Sequence, residues 1–190
     1  FSRVITTAFV LGAGLGTRLR PLTDSRPKPL VPVFNKPLIT FAFDHLIAGG
    51  VEKIVVNTHH RPEAYGQLLG ESEGRCDYRG REVFFRHEPV LLETGGGIKN
   101  AADLLGDAPF LVVNGDVWTD YDYARAPQLD AAALAALVLV PNPPQHPRGD
   151  FALERRLDHV DVVATPEVMP RHTYSGIGVY RPEFFEGCSD

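Results

Sequence analysis

Short apolar runs that stop abruptly at a glycine or an asparagine set the terms for this chain. Thr7–Leu11 (TAFVL) ends against Gly12, while residues 53–57 (KIVVN) and Phe110–Asn114 (FLVVN) end in asparagine. Runs this short and continuous read as strands buried on both faces. Between them, residues 37–48 (PLITFAFDHLIA) have helical spacing, with Pro37 at the first helical position and Gly49-Gly50 as the stop. Residues 62–69 are predicted as a short helix, 71–80 as polar and irregular, and 82–86 (EVFFR) as a strand. The glycine triplet at 95–97 is expected to open a helix over 98–105. Residues 129–136 are predicted to end a helix and lead into a strand over 136–140, with further strands over 150–153 and 174–180. Residues 154–173 show no clear period. Strands alternating with helices over the first 140 residues define an α/β class, with helices on both faces of a sheet.

The chain has 190 residues, which suits one domain, and its net charge is −5. An acidic surface argues against nucleic acid as the main partner, because phosphate backbones are held by basic stripes. It leaves room for a small anionic ligand, which needs only a few local cations. Cys76 and Cys188 fit neither a zinc spacing nor a disulfide framework, and they read as reduced thiols of a cytoplasmic protein. No apolar run approaches the roughly 20 residues needed to cross a bilayer. No signal peptide is visible in a sequence that opens on Phe1.

Four clusters carry candidate chemistry. Gly12-Ala13-Gly14-Leu15-Gly16-Thr17-Arg18 follows the first strand directly. Glycines let a backbone approach a phosphate and offer it bare N–H groups, although the same string also suits a plain tight turn. It is neither the dinucleotide fingerprint, since the third glycine comes one residue early, nor a Walker loop, since no Gly-Lys-Ser/Thr follows. Arg18, Arg20 and Lys28 come next, in a segment stiffened by Pro21, Pro27 and Pro29. Arg18 can grip phosphate oxygens in a bidentate way and Lys28 can act as a compact charge; singly, each reads equally as a solvated surface cation. The third cluster, Glu93-Thr94-Gly95-Gly96-Gly97-Ile98, offers room for a flat ring or simply a flexible helix entry. The fourth is Asn114-Gly115-Asp116 at a strand end, with Asp120 nearby. Asp116 can hold a divalent cation through oxygen, or can be an ordinary turn aspartate. Trp118 could wall a sugar site or simply pack. The scattered histidines, His59 and His60 included, have no partner spacing for a metal or a nucleophile.

The string from Leu11 to Thr23, followed by Pro27-Lys28-Pro29-Leu30, resembles the signature of the sugar-1-phosphate nucleotidyltransferases. Gly12 stands where many members carry Ala or Gly. The resemblance covers residues 5–153 and 173–190. It implies a Rossmann-like three-layer sandwich with a mixed, mostly parallel central sheet, in one domain. Residues 1–140 would form a nucleotide-binding half and 141–190 a sugar-binding half. It further implies transfer of a nucleotidyl group from a nucleoside triphosphate to a sugar 1-phosphate, with Mg²⁺ as cofactor and Arg18 and Lys28 as the catalytic cations. Leu11, Gly12, Ala13 and Gly14 would line the nucleotide, Gly16, Thr17 and Arg18 its phosphates, and Glu93 and Gly96 the base or the sugar. Asp116 would hold the metal, and Asn114 and Gly149 would contact the sugar. A second metal aspartate, in a Trp-x-Asp-x-Gly setting, would lie beyond residue 190. The motifs at 92–98, 110–123, 148–151 and 175–177 are most similar to the branch that uses UTP and N-acetylmuramate 1-phosphate. The glycine-loop segment is also similar to mannose-1-phosphate guanylyltransferases, and a non-catalytic nucleotide-sugar-binding regulator on the same fold stays open.

Overall fold

The computed structural model describes residues 4–156, 159–165 and 167–187; Cys188 lies outside them. Strand β1 (Thr7–Leu11) is followed by the glycine loop and two single 3₁₀ turns, Thr17–Leu19 and Lys28–Leu30. A small ribbon, β2 (Pro32–Val33) and β3 (Lys36–Pro37), leads into helix α1 (Leu38–Ala48). Then come β4 (Lys53–Thr58), α2 (Glu63–Leu69), β5 (Arg75–Tyr78), β6 (Arg81–His87), α3 (Glu93–Asn100), α4 (Ala102–Leu105) and β7 (Phe110–Asn114). The chain closes with β8 (Ala135–Val140), β9 (Phe151–Arg155), β10 (Val160–Val163), β11 (Arg171–Tyr180) and a 3₁₀ turn, Pro182–Phe185.

Nine strands form one mixed sheet, in the order β10-β9-β11-β7-β1-β4-β6-β5, with β8 also pairing β11. The centre, β7-β1-β4-β6, is parallel, and the flanks are antiparallel. The apolar runs occupy this centre because helices cover both of its faces. Ala8, Val10, Ile54, Val56, Leu111 and Val113 face α1 and α2, packing on Ile39, Phe43, Leu46 and Tyr65. Phe9, Val55, Phe110 and Val112 face the other way, onto Ile98, Ala101, Leu105 and Phe185. Alternation along a single strand thus feeds two cores, giving a three-layer α/β sandwich.

Several elements depart from the sequence reading. Residues 71–80 are not wholly irregular: β5 runs antiparallel to β6 through a turn at Arg79 and Gly80, both at positive φ. The glycine triplet lies inside α3, which opens at Glu93, so it does not precede the helix. No helix ends within 129–136; residues 129–134 lie outside any helix or strand, and β8 begins at Ala135. Alanine favours helices in isolation, but here Asp130 Oδ1 accepts from the Ala132 and Ala133 N–H groups in a turn, and Ala135 and Ala136 join a ladder with β11. Pro37 caps α1 instead of starting it. The stretch left without a period, 154–173, contains β10, paired antiparallel with β9. Among the described residues, no helix is long and apolar enough to cross a membrane.

Candidate active site

Parallel strands aim their carboxyl ends the same way, and ligands of open α/β sheets bind beyond those ends. Here β1, β4 and β7 end side by side: Leu11 is level with Asn57 on one neighbour and with Asn114 on the other. The loops leaving these strands enclose a cavity of about 440 Å³. Its wall contains the glycine loop from Gly12 to Gly16, then Thr17 and Arg18, with Lys28, Glu93, Thr94, Asn114 and Asp116.

The glycine loop is held at both ends by polar contacts. The Gly12 N–H donates to Asn57 Oδ1 at 2.8 Å, and the Tyr65 hydroxyl donates to the Gly12 carbonyl at 3.3 Å. Burial pushes the Tyr65 phenol well above its usual range, so it stays a donor. At the far end Gly16 takes a left-handed φ of 63°, and the Thr23 hydroxyl donates to its carbonyl at 2.8 Å. His60 in turn donates from Nε2 to the Thr23 carbonyl, at 2.7 Å. His59 donates from Nδ1 to the Glu88 carbonyl, also at 2.7 Å. Both histidines therefore brace the backbone behind the cavity.

Asp116 is delivered by the turn after β7, where the Gly115 N–H returns to the Leu11 carbonyl at 2.9 Å. Its Oδ2 accepts a hydrogen bond from Lys28 Nζ at 2.5 Å, and both side chains are 32% exposed. The chain thus brings a cation and an anion from distant segments into contact on the wall of one open cavity. Glu93 adopts a φ of 58°, a left-handed conformation that costs a non-glycine residue about 1 kcal/mol or more, and it lines the cavity from the start of α3.

The structure does not bring every candidate together. Arg20 turns aside to an exposed ion pair with Asp24 at 3.4 Å. Gly96 is buried within α3 behind Glu93 and Thr94. Gly149 lies in the loop before β9, packed near Asn142 and Arg171 and outside the cavity wall. Asp120 is exposed and does not line the cavity, and Trp118 is 65% exposed. Asn57, by contrast, lines the cavity and was not singled out from sequence. Its signal was available: a polar residue closing an apolar strand, the same pattern that drew attention to Asn114.

The donor set suits a hard divalent cation only in part. Asp116 offers a carboxylate on the cavity wall, but no group of three His, Cys, Asp or Glu side chains among the described residues could hold a metal. Mg²⁺ fits such a place, because it is commonly held by one or two carboxylates while waters and substrate phosphates complete its shell.

A three-layer α/β sandwich with a glycine loop, a lysine and an aspartate at the carboxyl edge of its sheet defines a phosphate-handling enzyme. The chain belongs to the nucleotidyl transferase family, whose model matches residues 7–155, and it is a sugar-1-phosphate nucleotidyltransferase. Members of this family act on nucleoside triphosphates and sugar 1-phosphates and generally use a divalent metal. N-acetylmuramate alpha-1-phosphate uridylyltransferase from Neisseria meningitidis serogroup B is 44% identical over 188 residues, which is 95% of this chain and 77% of that protein. Mannose-1-phosphate guanyltransferase from Hypocrea jecorina is 42% identical over 116 residues, covering 60% of this chain and 31% of that one. Crystalline HddC from Yersinia pseudotuberculosis, complexed with GMP-PN, shares the fold with a TM-score of 0.72 at 24% identity, over 98% of this chain and 81% of that one.

Proposed function

We propose that this protein transfers a uridylyl group from UTP to N-acetylmuramate 1-phosphate in the cytoplasm, with Mg²⁺ as cofactor. The observation that carries the reaction type is the Lys28–Asp116 contact on the wall of the glycine-loop cavity. The observation that favours these substrates is the 44% identity to the Neisseria enzyme along nearly the whole chain. In this reading the glycine loop and Arg18 hold the triphosphate with backbone N–H groups and a guanidinium fork. Lys28 steadies the sugar phosphate beside the α-phosphate. A sugar phosphate oxygen forms a new bond to the α-phosphorus, the bond from that phosphorus to the β-phosphate bridge breaks, and pyrophosphate leaves. The attacking phosphate is already anionic near neutral pH, so the chain supplies positioning and charge neutralisation without a general base. Mg²⁺ would be held by Asp116 with phosphate oxygens and would offset the charge that gathers there.

Glu93 stands by the base or the sugar and Asn114 by the sugar in this reading; Gly96 and Gly149 enter it on the family resemblance alone. Mannose 1-phosphate with GTP is the second reading, favoured by the 42% identity to the Hypocrea enzyme over 116 residues. The shared cavity of Arg18, Lys28 and Asp116 favours an enzyme over a non-catalytic regulator. The test is pyrophosphate release from each of four nucleoside triphosphates with a panel of sugar 1-phosphates and Mg²⁺. Release with UTP and N-acetylmuramate 1-phosphate alone is expected, and release only with GTP and mannose 1-phosphate would replace it. Asp116→Asn should abolish the response to Mg²⁺; an unchanged metal titration would remove Asp116 from its role.

A further inference from the structure

Behind the cavity wall sits a carboxylate that the proposed reaction leaves idle. Glu88 is 0% exposed and makes no ion pair among the described residues. A buried carboxylate is costly unless its oxygens are well hydrogen-bonded. Here both are. Asn57 Nδ2 donates to Glu88 Oε1 at 2.8 Å, and the Leu92 N–H donates to Oε2 at 3.2 Å. Asn57 presents its other atom, Oδ1, to the Gly12 N–H. A continuous run therefore links the glycine loop to the segment that carries Leu91, Glu93 and Thr94, all of which line the cavity.

We propose that Glu88 is a positioning residue for the nucleotide, acting through Asn57 to fix these two walls of the cavity relative to each other. The inference deepens the functional reading, since it rests on the cavity being the nucleotide site. Its force comes from hydrogen-bond polarity. Both ends of the run are backbone N–H groups, which only donate. Asn57 accepts at one end and donates at the other, so the remaining link must accept twice. A carboxylate does so. A glutamine at this position leaves one donor facing another donor at some link, whichever way the two amides are turned. The surroundings are shaped to this link: a Cβ added at Gly97 would stand 2.5 Å from Glu88 Oε1 and 2.8 Å from Asn57 Nδ2. The backbone of α3 thus closes directly over the Asn57–Glu88 contact.

The polarity argument supplies its own rescue. Glu88→Gln alone and Asn57→Asp alone should each raise the KM for the nucleoside triphosphate about tenfold, the order expected for one buried donor or acceptor left unpaired. The KM for the sugar phosphate and kcat should change far less. Combining Asn57→Asp with Glu88→Gln restores an acceptor to Gly12, a donor between the side chains and an acceptor to Leu92, and should return the nucleotide KM to near its original value. Hydrogen exchange at the Gly12 and Leu92 amides should quicken in each single variant and slow again in the double. A double variant no better than the singles in KM and exchange, or a Glu88→Gln protein matching wild type, would overturn the proposal. So would a KM loss shared equally between the two substrates. If the singles do not fold, the double decides: a folded protein with near-normal nucleotide KM supports the proposal, and an unfolded or impaired one refutes it. If the wild-type protein releases no pyrophosphate, the functional reading fails, and amide exchange alone then judges the hydrogen-bond run.

Discussion

Lys28 and Asp116 are 88 positions apart in sequence and 2.5 Å apart in space. Both side chains are about one-third exposed, and pairs in such surroundings contribute roughly 0–1 kcal/mol to stability. Removing the lysine should therefore spare the fold and damage the chemistry. Lys28→Ala is expected to lower kcat by about 10²–10³-fold, the range for deleting one charge-stabilising donor. Its melting temperature should stay within a few degrees of the wild type, as scanning calorimetry would report; near-normal turnover would show that Lys28 is not the catalytic cation. At this scale the sequence displayed the glycine string, Arg18, Lys28 and Asp116 because each sits in a compact local motif. Asn57 and Glu88 escaped because their meaning lies in contacts 45 and 31 residues long, which no local spacing encodes.

Elements were legible where burial leaves no choice. β1, β4 and β7 were readable because strands covered on both faces become apolar runs with sharp ends, and β6 was readable from its Val83-Phe84-Phe85 centre. β5 and β10 were not. They sit at the sheet's edges, with one face to solvent, and their mixed sequences (RCDY, VDVV) carry little signal. The alanine-rich approach to β8 misled for a different reason: Asp130 Oδ1 accepts from the Ala132 and Ala133 N–H groups and holds this stretch in a turn, and of these alanines only Ala135 and Ala136 join the ladder with β11. The turn after β7 allows a direct test of how an element places a functional group. A Cβ at Gly115 would stand 2.7 Å from the Leu11 carbonyl oxygen, which is main chain and cannot swing aside. Gly115→Ala should cost about 1–3 kcal/mol by denaturant melting and should shift Asp116 off the cavity wall, with a matching loss of turnover. An unperturbed melt would mean that the turn relaxes freely and does not set the aspartate's position.

Across the molecule, several phenols are folded away from water. Burial raises Tyr123 to about 12 and pushes Tyr65 and Tyr174 higher still. The unfolded chain releases these protons near pH 10, while the folded chain keeps them. Above that point the unfolded state binds fewer protons, so stability must fall as pH rises. Their contribution should be intact below pH 10 and should erode from there through pH 12, visible as a falling denaturation midpoint. A flat midpoint across that window would place these hydroxyls in contact with water.

Strand β11 belongs to both parts of the sequence at once: Ile177–Tyr180 aligns with β7 of the first 140 residues, while the same strand pairs β8, and its start pairs β9. It works as a shared seam. A protease cut in the exposed, proline-rich segment between β8 and β9 should give two polypeptides that still travel as one particle in gel filtration, clasped by that strand. Made separately and mixed, the same two pieces should find each other and recover a single structure.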